Sequence, residues 1–167
     1  MNIDYFRMMA RYNQWANERM LAACATLDGG ALAAPRVAFF PSILKTFNHI
    51  LVADRLWLAR LEGRVEKLAL DDVLYPEFGA FQSARMTQDQ AIIAFVDGLD
   101  DDVLATDLDY RNVAGKAFET PRSVVIGHLF NHQTHHRGQL HSMLLEAGCG
   151  SQEIDLIYFA RLHGYSK

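Results

Sequence analysis

RSVVIGHLFNHQTHHRGQLHSMLLE, residues 122–146, is the stretch that decides the fold class. Pro121 and Gly148 flank it, at positions typical of the start and the end of a helix. On a helical wheel of about 100° per residue, its apolar side chains fall on one face. That face is made of Val125, Leu129, Leu140 and Met143. Because His132 and His136 lie in the middle of the same face, one turn apart, the stretch predicts a long helix that turns two imidazoles toward the core.

Two helices are predicted in the first third of the chain. Residues 5–27 contain neither Gly nor Pro, and apolar residues recur there at helical spacing up to Gly29-Gly30. Residues 31–41 include two prolines and read as a loop. A second helix is predicted over Ile43–Leu61, with Ser42 as its N-cap. This helix is apolar over most of its circumference, which indicates that it is largely buried.

The middle of the chain gives weaker signals. Residues 65–81 read as a long connection, after which Thr87 is the expected cap of a third long helix over 88–99. An alternating stretch around a glycine at 108–118 predicts a small hairpin, and a short helix is expected at 154–162. The fold class predicted is therefore all-α, a four-helix bundle with a short fifth helix.

Composition narrows the classes of function. The length of 167 residues suits a single domain over 1–167, and the net charge of −4 argues against nucleic-acid binding, which needs a basic face. No apolar run is long enough to predict a membrane span, and the first residues lack the apolar centre of a signal peptide. Cys24 and Cys149 are far apart in sequence and are interpreted as reduced thiols, so a cytoplasmic location is expected.

The histidines suggest a metal site. The chain has 7 His, and 5 of them lie between His128 and His141. Neighbouring imidazoles at positions i and i+4 can converge on one ion, which satisfies both nitrogens, so His132 and His136 are candidate ligands. A single histidine on an apolar face is more often held by an ordinary hydrogen bond. That alternative stays open for His49, the one histidine of the second predicted helix.

The remaining histidines are weaker candidates. His128 and His135 fall on the flank of the apolar face, and His141 falls on its back. Several familiar enzyme signatures are missing, since the chain has neither HExxH nor a Glu-x-x-His pair and therefore resembles neither a zincin nor a di-iron bundle. If three histidines of ordinary pKa hold an ion, the ion should be released below about pH 6.

Several motifs resemble those of the DinB/YfiT-like superfamily. Residues 131–140, NHQTHHRGQL, are similar to its His-x-x-x-His-Arg-Gly-Gln signature. Residues 12–17, YNQWAN, resemble its first-helix motif, and 46–49, TFNH, followed by 54–57, DRLW, resemble its second. Asp155 with Leu156 and Tyr158 resembles the closing helix. The similarity follows the order of the motifs over nearly the whole chain and is weakest at 65–120.

This resemblance implies a helical bundle, usually a homodimer, with one divalent metal ion held by three histidines. Transferred to this chain, the ligands are His49, His132 and His136, and the metal is zinc or nickel. Related proteins are transferases and isomerases that use low-molecular-weight thiols such as mycothiol or bacillithiol. The leading hypothesis is therefore metal-dependent thiol chemistry on a small-molecule substrate. The alternatives are metal-assisted hydrolysis and a non-catalytic, stress-associated role in metal binding.

Three other residues carry open hypotheses. Arg60 and Arg137 are either anchors for an acidic substrate or members of ordinary surface ion pairs. Gly138 lies inside the predicted helix, where glycine costs up to about 1 kcal/mol relative to alanine. We expect another helix or a second subunit to pack closely against it.

Overall fold

The computed structural model describes residues 2–165. Met1 and residues 166–167 of the predicted domain lie outside the described residues. Seven helices and two strands follow one another in this range. They are α1 (Ile3–Cys24), α2 (Gly29–Ala33), α3 (Ile43–Leu61), α4 (Phe78–Asp97), α5 (Asp101–Leu104), β1 (Asp107–Arg111), β2 (Ala117–Pro121), α6 (Arg122–Glu146) and α7 (Leu156–Leu162).

Four long helices form the bundle. Helix α1 packs against α4 and α6, and α3 packs against the same two helices, so the four enclose a common interior. Strands β1 and β2 pair antiparallel just before α6, with Tyr110 opposite Phe118. The all-α bundle and the small hairpin predicted from the sequence are therefore confirmed. Within residues 2–165, no helix combines the length and the hydropathy that crossing a bilayer would require.

The interior has two apolar clusters at different heights along the bundle. One lies around Phe6, Phe130 and Ile92, and the other around Phe47 and Phe81. Each cluster takes side chains from all four long helices, so their burial supplies the main driving force for the packing of the helices.

A polar layer separates the two clusters. It is made of Asn13 and Asn17 of α1, Asp54 of α3, Arg85 and Asp89 of α4, and Gln133 and Arg137 of α6. All seven side chains are at least 98 % buried. The two guanidinium groups balance the two carboxylates, because a buried charge without a partner would cost several kcal/mol.

The connections in this layer cross the whole bundle. Arg85 forms ion pairs with Asp54 and with Asp89, the second at 2.9 Å. The Gln133 side-chain amide donates to Asp54, and Arg137 donates to Asn13. Burial raises the pKa of Asp54 to about 6, while the positive charge of Arg85 acts in the opposite direction. These contacts link α4 to α3, α6 to α3, α6 to α1 and α1 to α4 at one level of the bundle.

The helix boundaries differ from the prediction in two places. Helix α4 begins at Phe78, so the predicted connection is shorter and Thr87 is not a cap. Instead, the Thr87 hydroxyl donates to the Ser83 carbonyl within the helix. The early start is stabilised by Phe81, which is fully buried and packs against Phe47. Tertiary packing therefore extends this helix beyond its local signal.

The other corrections concern short elements. Helix α1 spans Ile3–Cys24, and the Asn2 side chain caps it. The Gly pair expected to stop it lies in the separate helix α2, which Asp28 caps, so the predicted loop starts later than expected. Helix α5 was not predicted, whereas the Ser42 cap and both ends of α3 were correct.

Candidate metal centre

Three histidines from two helices meet at the level of the polar layer. His49 comes from α3, and His132 and His136 come from α6. Each offers one ring nitrogen, and these three atoms lie within 4.8 Å of one another. The His49 and His132 Nε2 atoms are 3.2 Å apart. The side chains predicted as ligands are therefore brought together, His49 and His136 buried and His132 half-buried.

The outer nitrogen of His49 is held by the backbone. Its Nδ1 lies 2.8 Å from the carbonyl oxygen of Leu70, in the segment that follows α3. Since a carbonyl only accepts hydrogen bonds, the proton of neutral His49 lies on Nδ1. The Nε2 lone pair is then directed at the other two rings, as a metal ligand requires.

A side chain holds His136 in a similar way. Its Nδ1 lies 2.7 Å from Oε1 of Gln139, three residues further along α6. Donation from Nδ1 to this oxygen leaves Nε2 as the free lone pair. His132 differs, because its buried Nδ1 has no hydrogen-bond partner among residues 2–165.

The surroundings favour neutral imidazoles. Burial, together with the charges of the neighbouring histidines, lowers the pKa of His132 to about 3. Burial also lowers the pKa of His136 to about 4, although its hydrogen bond to Gln139 opposes this. The pKa of His49 is lowered by burial as well. All three rings are therefore unprotonated at neutral pH, the form that binds metal.

The donor set fits a divalent ion. Zinc–nitrogen bonds of about 2.0–2.1 Å in a tetrahedral site place the ligand atoms roughly 3.3 Å apart. The 3.2 Å between the His49 and His132 nitrogens is close to this spacing, and the nitrogen of His136 lies within 4.8 Å of both. Without a cation, Nε2 of His49 presents a lone pair to His132, whose own Nδ1 is unpartnered. An ion held by all three rings would use each inward lone pair.

The other histidines of α6 lie outside this group. The ring of His128 packs against Trp57 at 4.9 Å and against His132 at 5.8 Å. His135 is exposed, as its place on the flank predicted. His141, expected on the back of the helix, is half-buried and contacts the Ser151 hydroxyl at 3.3 Å.

An aromatic side chain closes one side of the site. Phe40, in the segment before α3, stacks on the His49 ring at 3.9 Å and lies edge-on to His136 at 5.9 Å. Phe40 and the Leu70 carbonyl were missed at the sequence level, because neither has a local signal. Gln139 has one, since a residue three positions after a helical histidine lies on the same face.

Two sequence hypotheses need correction. Arg137 is 1 % exposed and belongs to the buried polar layer, so it is neither a surface ion pair nor an accessible substrate anchor. Gly138 is exposed, and nothing within residues 2–165 lies within 4 Å of the position where its Cβ would be. No helix within residues 2–165 therefore packs closely against Gly138, and contact with a second subunit is the hypothesis that remains.

Comparison with known proteins agrees with the helix order and the motifs. The family model described as DinB family matches residues 1–165. The chain belongs to the DinB family. Protein DinB of Bacillus subtilis (strain 168) is 26% identical over 159 residues, which cover 91% of each protein. Family membership and the three adjacent histidines are compatible with metal binding.

A solved structure supports the fold of this DinB-family chain. The crystal structure of a DinB-like protein from Bacillus cereus ATCC 10987 superposes with a TM-score of 0.72. The match covers 90% of this chain and 95% of the other, at 22% sequence identity. At this level of identity the similarity concerns the fold alone.

Proposed function

We propose that the protein binds one divalent metal ion through Nε2 of His49, His132 and His136, and that it is an enzyme whose reaction depends on this ion. The observation that carries the proposal is the convergence of three neutral imidazoles, two with the outer nitrogen already engaged. The reaction class that we infer is transfer or isomerisation that depends on a low-molecular-weight thiol. This class comes from the family resemblance, and the site geometry is compatible with it.

Three protein ligands would leave one coordination position of the ion open, as in catalytic rather than structural sites, and three neutral ligands would leave its full charge uncompensated. When bound, such an ion supplies Lewis acidity that favours the ionised form of a thiol or of water beside it. The protein's own contribution is positional. The Leu70 carbonyl and Gln139 keep the rings of His49 and His136 in one orientation, while Phe40 shields His49 from water on one side.

The choice of zinc or nickel comes from the family resemblance, and the nature of the donors is compatible with both metals. Imidazole nitrogen suits zinc, copper, iron and nickel, whereas carboxylate and carbonyl oxygens suit magnesium and calcium. The metal cluster found in residues 2–165 consists of histidines alone. A hard cation such as Mg²⁺ would therefore find no preferred ligand there.

The reaction class is tested with the cobalt-substituted protein. Addition of bacillithiol should produce a near-ultraviolet sulfur-to-cobalt charge-transfer band, and S-methyl bacillithiol, whose sulfur cannot form a thiolate, should not. The His141→Ala variant is the matched control, because His141 lies on α6 outside the cluster and contacts Ser151 instead. It should give the same spectrum as the wild type, while His136→Ala should lose it.

The other outcomes point to the alternatives. Turnover of ester or amide substrates without thiol, with a pH profile of a single ionisation, would favour metal-assisted hydrolysis. Metal binding without a thiol band and without turnover would favour a non-catalytic metal-binding role. Either result would contradict thiol transfer.

The proposed assembly is a homodimer in the cytoplasm. Support for the dimer comes from the exposed face of α6, where Gly138 leaves open space beside the helix backbone. Gly138→Leu should shift the protein toward the monomer in light scattering coupled to size exclusion, while helix content stays unchanged. Cys24 and Cys149 are both free, which supports a reducing compartment.

A further inference from the structure

A second concave site adjoins the histidine cluster. It is a cleft of about 850 Å³ between the end of α3, the segment at 63–70 and the hairpin. This volume lies in the range of small-molecule sites, about 300–1,000 Å³. Leu70 lines the cleft and also contributes the carbonyl that binds His49. The cleft and the candidate metal centre therefore share a wall.

The cleft is positively charged although the protein is acidic overall. Four cationic side chains line it against two acidic ones, Glu66 and Asp109, while the whole chain carries a net charge of −4. The cations are Arg60, Arg64, Lys67 and Arg111. Such a local reversal of charge concentrates anions in the cleft.

Arg60 is the cation best placed to bind a ligand. It is half-buried, and its guanidinium group lies 4.5 Å above the Trp57 ring. Its Nε donates to the Arg111 carbonyl at 3.1 Å, which fixes the plane of the group. No acidic group in residues 2–165 forms an ion pair with Arg60, whereas Arg64 is engaged by Glu62 and Glu66.

The rest of the lining is apolar. Leu56, Val65 and Leu68 lie beside Arg60 in the cleft, together with the Tyr110 ring. A ligand that fits these walls combines one anionic group with an apolar body. A guanidinium group with free NH₂ ends pairs best with a planar carboxylate, through two parallel hydrogen bonds.

Aromatic contacts connect this cleft to the histidines. Trp57 contacts Tyr110 at 5.3 Å on one side and His128 at 4.9 Å on the other. His128 in turn packs against His132. Along α3, Leu56 follows His49 by two helical turns and Arg60 follows one turn later, a rise of about 16 Å in total. A bound acid can thus point its far end toward the metal centre.

We propose that the cleft binds a small organic acid with an apolar body, whose carboxylate pairs with Arg60. The claim that such an acid is the substrate rests on the proposed function. The binding of the acid in the cleft does not, because it needs no metal. The carboxylate end is held by Arg60, and the body extends along Leu56 toward Leu70, whose carbonyl holds His49.

The test measures binding of hexanoate and 4-phenylbutyrate by calorimetry, with the neutral amides hexanamide and 4-phenylbutyramide for comparison. Both metal-loaded and metal-free protein are titrated. We expect saturable binding of at least one acid in both forms, and affinity at least about tenfold lower for its amide. Arg60→Gln should lower the affinity for the acid by about tenfold or more, Arg60→Lys by less.

Arg161→Gln is the matched control, since Arg161 is exposed on α7 and does not line the cleft. It should bind the acids like the wild type. Absence of saturable binding up to about 10 mM would overturn the proposal, as would equal affinity for acid and amide or an unchanged Arg60→Gln variant. Binding that disappears without metal would place the carboxylate on the ion instead, which also overturns it. Elemental analysis separates the two claims, because a metal-free purified protein that still binds acid through Arg60 contradicts only the proposed function.

Discussion

Acidification is the perturbation whose effect on metal affinity follows most directly from the site. For an imidazole with the ordinary pKa of about 6.5, the neutral fraction that can bind metal falls roughly 25-fold between pH 7 and pH 5. Two such ligands would weaken metal binding about 600-fold. The pKa of His132 is lowered to about 3 and that of His136 to about 4, so both stay neutral at pH 5. Between pH 7 and pH 5, protons therefore compete with the metal ion only at His49, whose pKa is also lowered.

The expected result is therefore a dissociation constant for zinc that rises by less than about 25-fold between pH 7 and pH 5. Below pH 4, protons compete at His136 and then at His132, and the ion is released; the release below about pH 6 that the sequence predicted is therefore revised, because it assumed histidines of ordinary pKa. Equilibrium dialysis at fixed free zinc, with bound metal quantified by elemental analysis, measures this at each pH. Circular dichroism at the same pH values verifies that the protein is folded. An affinity that falls several-hundredfold by pH 5 in folded protein would refute the reasoning, because it would show imidazoles of ordinary pKa.

Three further predictions concern the surroundings of the site. Asp54→Asn removes one carboxylate from the buried network and should lower the free energy of unfolding in urea by about 3–5 kcal/mol, whereas exposed Asp71→Asn should change it little. Gln139→Leu should weaken zinc binding about 10–100-fold without loss of helix content, because His136 loses its orienting partner; unchanged affinity would contradict that role. Ser42→Ala removes the cap of α3 and should cost about 1 kcal/mol in the same urea assay; a neutral result would mean that solvent replaces the cap.

The sequence predicted a helix correctly where local signals mark both its first and its last residue. Ser42 and Gly63 define α3, and Ile43–Leu61 was predicted to the residue. Helix α4 starts without a side-chain cap, so its first turns carry no comparable signal. Those turns are stabilised by the burial of Phe81 and Arg85, which depends on residues far away in sequence.

The candidate metal centre likewise has residues that the sequence predicted and residues that it did not. His132 and His136 lie on one helix, so their proximity follows from helical geometry alone. His49 belongs to another helix, and its wheel position left an ordinary hydrogen bond open until the family resemblance was considered. The polar layer was not predicted, because a single sequence indicates which faces are buried but not which charges pair across helices. The Leu70 carbonyl has no side-chain signal at all.

Metal content tests the central claim most directly. Protein purified without chelators should contain about one equivalent of divalent metal per chain by elemental analysis. His132→Ala should lose nearly all of it, and His141→Ala, which alters a histidine outside the cluster, should retain it. Equal metal content in the two variants, or a wild-type protein that takes up no zinc or nickel at neutral pH, would contradict a three-histidine site at His49, His132 and His136.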